Sequence, residues 1–326
     1  MGRMGRGSDY DATMDATISP ATTDADLERV LDVRNAIEVE KLTLVGLRAE
    51  RSAAVASLDL VAETGGRDVG AGSIAWGAIS VESRNVFIFA WVLPEERHRG
   101  IGGRLLDQLV ACARTAGMER MTTLVYADDT DAIAFIERRG LVVDGGGQLG
   151  KLDLAAAPVE RGVAPIPGVE VAPLAERLDL EHELYDLDML IHPEVPFLAN
   201  EPLPSFESWR STGTGDPGFL PELSLVAIEG GRLIGAVQLY DNGDQVAFIG
   251  MTNVHPDARR RGVARLLKVE LERRARAAGL RRIETYNDGT NERIRGLNES
   301  LGYVYNPPYV ALRGPLPVPR GADVTS

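Results

Sequence analysis

The sequence predicts a chain of α/β (α+β) class: two tandem domains, each a mixed, mainly antiparallel sheet flanked by helices. Three observations predict it. The chain has 326 residues, more than one ordinary core organises, so two domains is the better prior. The stretch "LPEERHRGIGGRLL" from Leu93 returns as "HPDARRRGVARLL" from His255, so that Pro94, Arg97, Gly100 and Gly102 map onto Pro256, Arg259, Gly262 and Ala264. The same spacing carries Ala116-Gly117 onto Ala278-Gly279 and Gly140 onto Gly302, which marks a duplication at domain scale. Finally, both copies run through the same order of hydrophobic patterns.

In the second copy "VEVAPL" from Val169 alternates as a strand, and "LDLEHELYDLDMLI" carries the helical period. Three β-rich runs follow, from Ser224 to Val254, divided by the turn sequences "EGGR" and "DNGD"; they predict an antiparallel meander. After the Arg/Gly loop, "ARLLKVELERRARAAG" is a helix ended by Gly279, as a C-terminal glycine ends one. "LRRIETYN" is a strand, "NERIRGLNESLG" a helix and "PYVALRGPL" a closing strand. The first copy supplies "SLDLVAET", "SIAWGAIS" and "NVFIFAWVL" for its meander, then its loop and helix, "RMTTLVYA", "DAIAFIERRG" and a closing "GKLDL". Between the copies "AAAPVERGVAPIPG" lacks periodicity and reads as a linker, giving domains 1–158 and 164–326. The tail beyond Leu316 is expected to be loose.

Composition narrows the function. A net charge of −13 argues against nucleic acid as a partner, because phosphates are repelled. No apolar run is long enough for a membrane span, and the first residues show neither a secretory signal nor a myristoylation pattern, so a cytoplasmic location is expected. The one cysteine, Cys112, lies in an apolar helical run and reads as a buried structural thiol.

A glycine loop that follows a strand and opens a helix is an anion site. The first turn of the helix leaves N–H groups unpaired, and the helix dipole adds partial positive charge there. Small residues at Gly262 and Ala264 let a diphosphate approach the backbone, and Arg259, Arg260 and Arg261 add cationic character. The loop lacks the Lys-Ser/Thr of a Walker loop and the parallel βαβ setting of a dinucleotide fingerprint.

These residues resemble the GNAT superfamily of acyl-CoA N-acyltransferases, whose signature is Arg/Gln-x-x-Gly-x-Gly/Ala after the fourth strand. The resemblance covers nearly the whole chain as two GNAT-like domains. It implies acetyl-CoA as acyl donor and no metal. It places coenzyme A on Asn253, Val254, Arg259, Arg260, Arg261, Gly262, Val263, Ala264 and Asn291 in the second copy. In the first copy the matching set is Arg97, Arg99, Gly100, Ile101 and Gly102. The family also carries Asn-x-x-Ala-x-x-Leu-Tyr-x-x-x-Gly-Phe on the later helix, its Asn positioning pantetheine and its Tyr protonating the thiolate. Here Asn291, Leu297, Gly302 and Tyr303 fit, while Asn298 takes the tyrosine position; Asn298 itself, or Tyr303, Tyr305 or Tyr309, is left to serve the thiolate. In the first copy Asp129 and Ile136 occupy the two polar positions, so catalysis is expected in the C-terminal domain.

The strand-four glutamate that many members use as base is absent: Phe248 and Val86 stand there. Glu284 is the leading candidate, with Tyr286, Asp241, Asp244 and His255 behind it, each with an ordinary strand, turn or loop reading. Thr252, read on one strand face with Phe248, Gly250 and Val254, either lines the acceptor site or packs there. Phe197, Phe206 and Trp209 are candidates for an apolar acceptor wall or for ordinary packing. The expected function is transfer of a small acyl group to a small-molecule amine by a monomer or homodimer. The alternative is an acyl-CoA sensor without turnover, and a weaker one is modification of protein amines.

Overall fold

A computed structural model describes residues 16–52, 54–77, 82–156, 162–196 and 198–318. The first copy comprises β1 (Thr17–Pro20), α1 (Asp24–Ile37), α2 (Leu44–Ser52), β2 (Ala56–Thr64), β3 (Arg67–Trp76), β4 (Asn85–Val92), α3 (Ile101–Thr115), β5 (Arg120–Tyr126), α4 (Thr130–Glu137) and β6 (Val142–Asp153). The second comprises β7 (Val169–Pro173), α5 (Glu181–Ile191), α6 (Phe206–Thr212), β8 (Leu225–Glu229), β9 (Arg232–Asp241), β10 (Val246–Val254), α7 (Val263–Ala277), β11 (Arg282–Asp288), α8 (Glu292–Ser300), β12 (Val304–Tyr305) and β13 (Tyr309–Pro315). The second meander, both long helices and the turn glycines Gly230, Gly231 and Gly243, all at positive φ, stand where sequence patterning put them. The middle strand of the first meander instead starts at Arg67 rather than Ser73 and ends at Trp76, residues 78–80 lying outside the described residues.

All strands join one sheet in the order β1-β2-β3-β4-β5-β13-β6-β11-β10-β9-β8-β7, with β12 beside β6. The pairs β4–β5 and β10–β11 are parallel, and the remaining neighbours are antiparallel. Each copy was expected to be closed by its own last strand. The structure exchanges them instead. Strand β13 of the second copy lies against β5, with Tyr309 opposite Tyr126 and Leu312 opposite Thr123. Residues 147–153 of the first copy lie against β11, with Leu152 opposite Ile283. The cores follow the exchange. Leu312 and Leu316 are buried with Leu105, Leu109 and Met121, while Leu152 and Leu154 are buried with Leu267, Leu271 and Ile283.

The two copies divide this last segment differently. In the second, Pro307 and Pro308 separate β12 from β13, since proline cannot donate to the ladder. At the equivalent place in the first copy Gly145 and Gly146 keep the strand continuous, with φ of +86° and +155°.

A second reciprocal contact closes the seam. The hydroxyl of Thr43 before α2 donates to Asp244 in the β9–β10 turn, and the Ser205 hydroxyl before α6 donates to Glu82 at 2.9 Å. Both hydroxyls also accept from their own helix, from Gly46 N–H and Ser208 N–H, so each ties a helix start to a turn of the other copy. Between these contacts Glu40 pairs with both Lys151 and Arg282. Among the described residues no helix is long and apolar enough to cross a membrane. Cys112 is half-buried rather than sealed in the core, because it flanks the α3 stripe of Leu105, Leu109 and Ala113.

Candidate functional site

Each parallel strand pair is closed at one end and open at the other. β10 pairs with β11 only from Val246–Arg282 to Ile249–Thr285, and β4 with β5 only from Asn85–Arg120 to Phe87–Thr122. Beyond these points the strands part. Each wedge-shaped gap lies below a loop-to-helix junction of one design. A turn of 3₁₀ helix (Pro94–Glu96, Pro256–Ala258) leads to a left-handed residue, His98 or Arg260. A left-handed glycine follows, Gly100 at φ +80° or Gly262 at φ +90°, and caps α3 or α7. With no side-chain cap hydrogen bond at either glycine, the first-turn N–H groups stay available to an anion.

The loop arginines are more occupied than the sequence suggested. Arg259 Nε donates to the Val254 carbonyl at 3.1 Å, and its guanidinium pairs with Glu194 at 2.9 Å. Arg261 forks onto Glu229 at 2.9 and 2.5 Å, which holds that carboxyl below its usual range. In the first copy Arg97 pairs with Asp129 at 3.1 Å and Arg99 with Glu96 at 2.6 Å. These exposed pairs are individually weak, so an anion at either junction would meet the main-chain amides first, with the arginines as exchangeable support. Asn291 and Asp129, at equivalent positions, both serve as helix N-caps, bonding Ile294 N–H at 3.3 Å and Ala132 N–H at 3.0 Å.

A bulge between Ile249 and Met251 changes the strand face that the sequence predicted. Phe248 lies opposite Tyr240, in the cluster under α5, whereas Thr252 lies opposite Val237, in the cluster under α7. The extra residue, Gly250, therefore puts Phe248 and Thr252 on opposite faces, and Thr252 shares a face with Val254 alone. The His255 N–H bonds Ile234 on β9 at 2.9 Å, so strand alternation turns the Val254 N–H toward the gap.

The catalytic candidates separate. Asn298, fully buried on α8, donates from Nδ2 to Asn287 Oδ1 at 2.8 Å and to the Tyr305 hydroxyl at 3.2 Å. Tyr305 in turn donates to Asn287 at 2.9 Å, and burial raises its pKa above that of a free tyrosine, so the phenol keeps its proton. Among the described residues Asn298 Oδ1 is buried without a hydrogen-bond partner. Tyr303 lies apart from this cluster, packed in the α7 core with Lys268 Nζ 5.4 Å from its ring centre. Glu284 sits in the closed part of the wedge, opposite Phe248 and Lys151, held by Arg282 at 2.8 Å and Asn242 at 3.3 Å. The turn residues Asp241 and Asp244 perform turn chemistry, Asp241 accepting from Gly243 N–H at 3.0 Å and Asp244 taking φ +53°. Of the suggested acceptor wall, Trp209 and Phe206 pack with Tyr185 under α5, and Phe197 falls outside the described residues.

Asp188 was missed. It belongs to the buried stripe Leu184, Leu187, Asp188, Ile191 of α5, and a carboxylate on an apolar stripe is a legible signal. Its oxygens accept from Asn253 Nδ2 (2.7 Å), Gln238 Nε2 (2.7 Å) and Trp209 Nε1 (2.9 Å). Burial nonetheless pushes its pKa up, against the pull of the three donors. Asp188→Ala strands three buried donors at roughly 1–3 kcal/mol each, so chemical denaturation should register a loss of at least about 3 kcal/mol. A loss under 1 kcal/mol would mean that water replaces the carboxylate freely.

The gap of the first copy holds a cavity of about 230 Å³. Ile88, Val92, Leu106, Val125, Phe135 and Ile136 give it apolar walls from the Gly100 junction inward. Ile136, at the position equivalent to Asn298, offers no proton. Among the described residues no group of three or more His, Cys, Asp or Glu is placed to hold a metal ion.

A family model described as Acetyltransferase (GNAT) family matches residues 32–141 and again residues 182–303. Among solved structures the chain is similar to a GCN5-related N-acetyltransferase from Sphaerobacter thermophilus, with 16% identity and a TM-score of 0.72 over 92% of this chain and 96% of that one. It is similar also to a tandem GNAT protein from the clavulanic acid biosynthesis pathway, with 22% identity and a TM-score of 0.67 over 93% and 99% of the two chains. A third likeness is to a fungal multi-domain β-N-acetylglucosaminidase containing a GCN5-related glucosamine N-acetyltransferase region, at 16% identity, a TM-score of 0.68, and 94% of this chain against 39% of that one. No curated protein gives a significant match.

Proposed function

The chain belongs to the GNAT acetyltransferase family, and from that premise we propose that it moves an acetyl or other small acyl group from coenzyme A to the primary amine of a small molecule, with the chemistry in the C-terminal copy. The observation that carries the assignment to this copy is the Asn298–Asn287–Tyr305 cluster, which sets buried polar groups where the first copy has Ile136. Amides at the start of α7 hold the diphosphate, and the Val254 N–H receives the oxyanion that forms when the amine nitrogen attacks the thioester carbon. As the carbon–sulfur bond breaks, the thiolate takes a hydrogen bond from the cluster, while the amine proton leaves to solvent. Turning both amides over lets Asn287 and Tyr305 donate to the Asn298 oxygen and frees the Asn298 N–H for the sulfur. Tyr305, protonated by virtue of burial, fixes that orientation by donating to the Asn298 oxygen, and the departing thiolate takes its proton from solvent. Tyr303 and Glu284 are left with structural work.

The test is thiol release from acetyl-CoA with purified protein and a panel of primary amines. Asn298→Ala and Tyr305→Phe should each lower kcat about 10²-fold while leaving KM for acetyl-CoA near its starting value. Unchanged kcat in both variants would remove the cluster from the mechanism. A second reading, acyl-CoA held without turnover, is favoured for the first copy by its apolar cavity and Ile136. In that copy the ligand would bind and no thiol would be released.

A further inference from the structure

The cavity of the first copy does not end where an apolar arm would need it to end. Its far wall carries a carboxylate, Glu38, among the rings of Phe89, Trp91, Tyr126 and Tyr309. Trp91 Nε1 donates to Glu38 Oε1 at 2.7 Å, and the Tyr309 hydroxyl lies 3.5 Å from Oε2. Tyr309 and Tyr126 stack with ring centres 4.5 Å apart and share a hydrogen bond of 2.9 Å, and Phe89 stacks on Trp91 at 5.7 Å. The neighbouring cations bond neutral acceptors and do not reach the carboxylate. Arg34, 6.0 Å from the Trp91 ring centre, donates to Asn35 and to the Glu40 carbonyl, while Lys41 binds the main-chain oxygens of Asn35 and Glu38. Among the described residues the Glu38 carboxylate enters no ion pair, and the groups that bond it, the Trp91 N–H and the Tyr309 hydroxyl, are neutral.

One negative charge framed by π faces repels carboxylate and phosphate groups and suits a cation of low hydration. We infer that this end of the cleft is a seat for an organic ammonium ion, built by both copies because Tyr309 arrives on the exchanged strand. Acyl transfer in the other copy is not required for it. The seat reads positive charge and not a nucleophilic lone pair, so it accepts a quaternary ammonium, which no acyl transfer can consume. A ligand here bridges β4, β5 and β13, and so binds across the junction of the two copies.

Calorimetric titration of the full chain with 2-phenylethylammonium, with phenyltrimethylammonium and with the neutral 2-phenylethanol tests the inference. Both cations should bind at least tenfold more tightly than the alcohol. Glu38→Gln keeps an oxygen for the Trp91 N–H and so should preserve the fold, yet it should weaken both cations at least tenfold and leave the alcohol unchanged. Tyr309→Phe retains the stack and should weaken them less. Equal binding of cation and alcohol, or cation binding indifferent to Glu38→Gln, overturns the seat, as does an absence of heat with both cations. Because these titrations contain no acetyl-CoA, their failure leaves the acyl-transfer reading standing, and failure of thiol release leaves the seat standing.

Discussion

Expressed separately, residues 1–158 and 164–326 are expected not to fold as monomers. Without β13, the first half would leave β5 unpaired on one side and lose Leu312 and Leu316 from its core. The second half would leave β11 unpaired on its β6 side and lose Leu152 and Leu154. Removing one large buried side chain costs roughly 2–5 kcal/mol. Removing two, with a strand's worth of backbone bonds, reaches the whole stability of an ordinary domain, about 5–15 kcal/mol. Each half alone should show no cooperative thermal transition as a monomer. Refolded together at equal concentration, the halves should form one heterodimeric particle that melts cooperatively. A monomeric half that melts cooperatively by itself would mean that its own closing strand can fold back onto its own sheet, and that the exchange is dispensable.

The second large effect is expected at Gly262. At φ +90° a side chain there is strained by about 1–2 kcal/mol, although a Cβ would meet only Ile166 Cδ1, at 4.0 Å. The fold has room for the substitution, while the ligand does not. Gly262→Glu adds a carboxylate beside amides meant for a diphosphate. Strain and like-charge repulsion together should weaken acetyl-CoA at the C-terminal copy about 100-fold or more and lower kcat/KM by at least as much. Gly262→Ala, carrying the strain alone, should lose about tenfold. Gly100→Glu should abolish ligand uptake by the first copy and spare thiol release. If Gly100→Glu alone stopped thiol release, turnover would belong to the first copy.

How much of this could be read from the sequence depends on whether a feature is local. The junctions are local: a proline, an arginine and a glycine at fixed spacing specify the 3₁₀ turn and the left-handed cap, and α3 and α7 begin one residue after those glycines. The exchange is not local. β6 and β13 are equivalent segments, so either sheet edge can accept either strand, and pattern cannot say which. The bulge at Gly250 is a single extra residue, and alternation read through it puts Thr252 on the wrong face. Asp188 stood in plain view on an apolar stripe, yet the Asn253 side chain it holds looked like a cofactor ligand. The burial of Glu284 is not legible either, because Lys151, which lies beside it, comes from the other copy. Tyr309 is likewise unreadable in advance, since the cavity it completes belongs to the half of the chain that precedes it.

Crystals of the intact chain grown with acetyl-CoA put the central claim to its most direct test. The account predicts a diphosphate on the first-turn amides of α7, at Val263 and Ala264, with the thioester lying between β10 and β11 beside Asn298. Acetyl-CoA bound elsewhere at full occupancy, with the α7 junction empty, would contradict it.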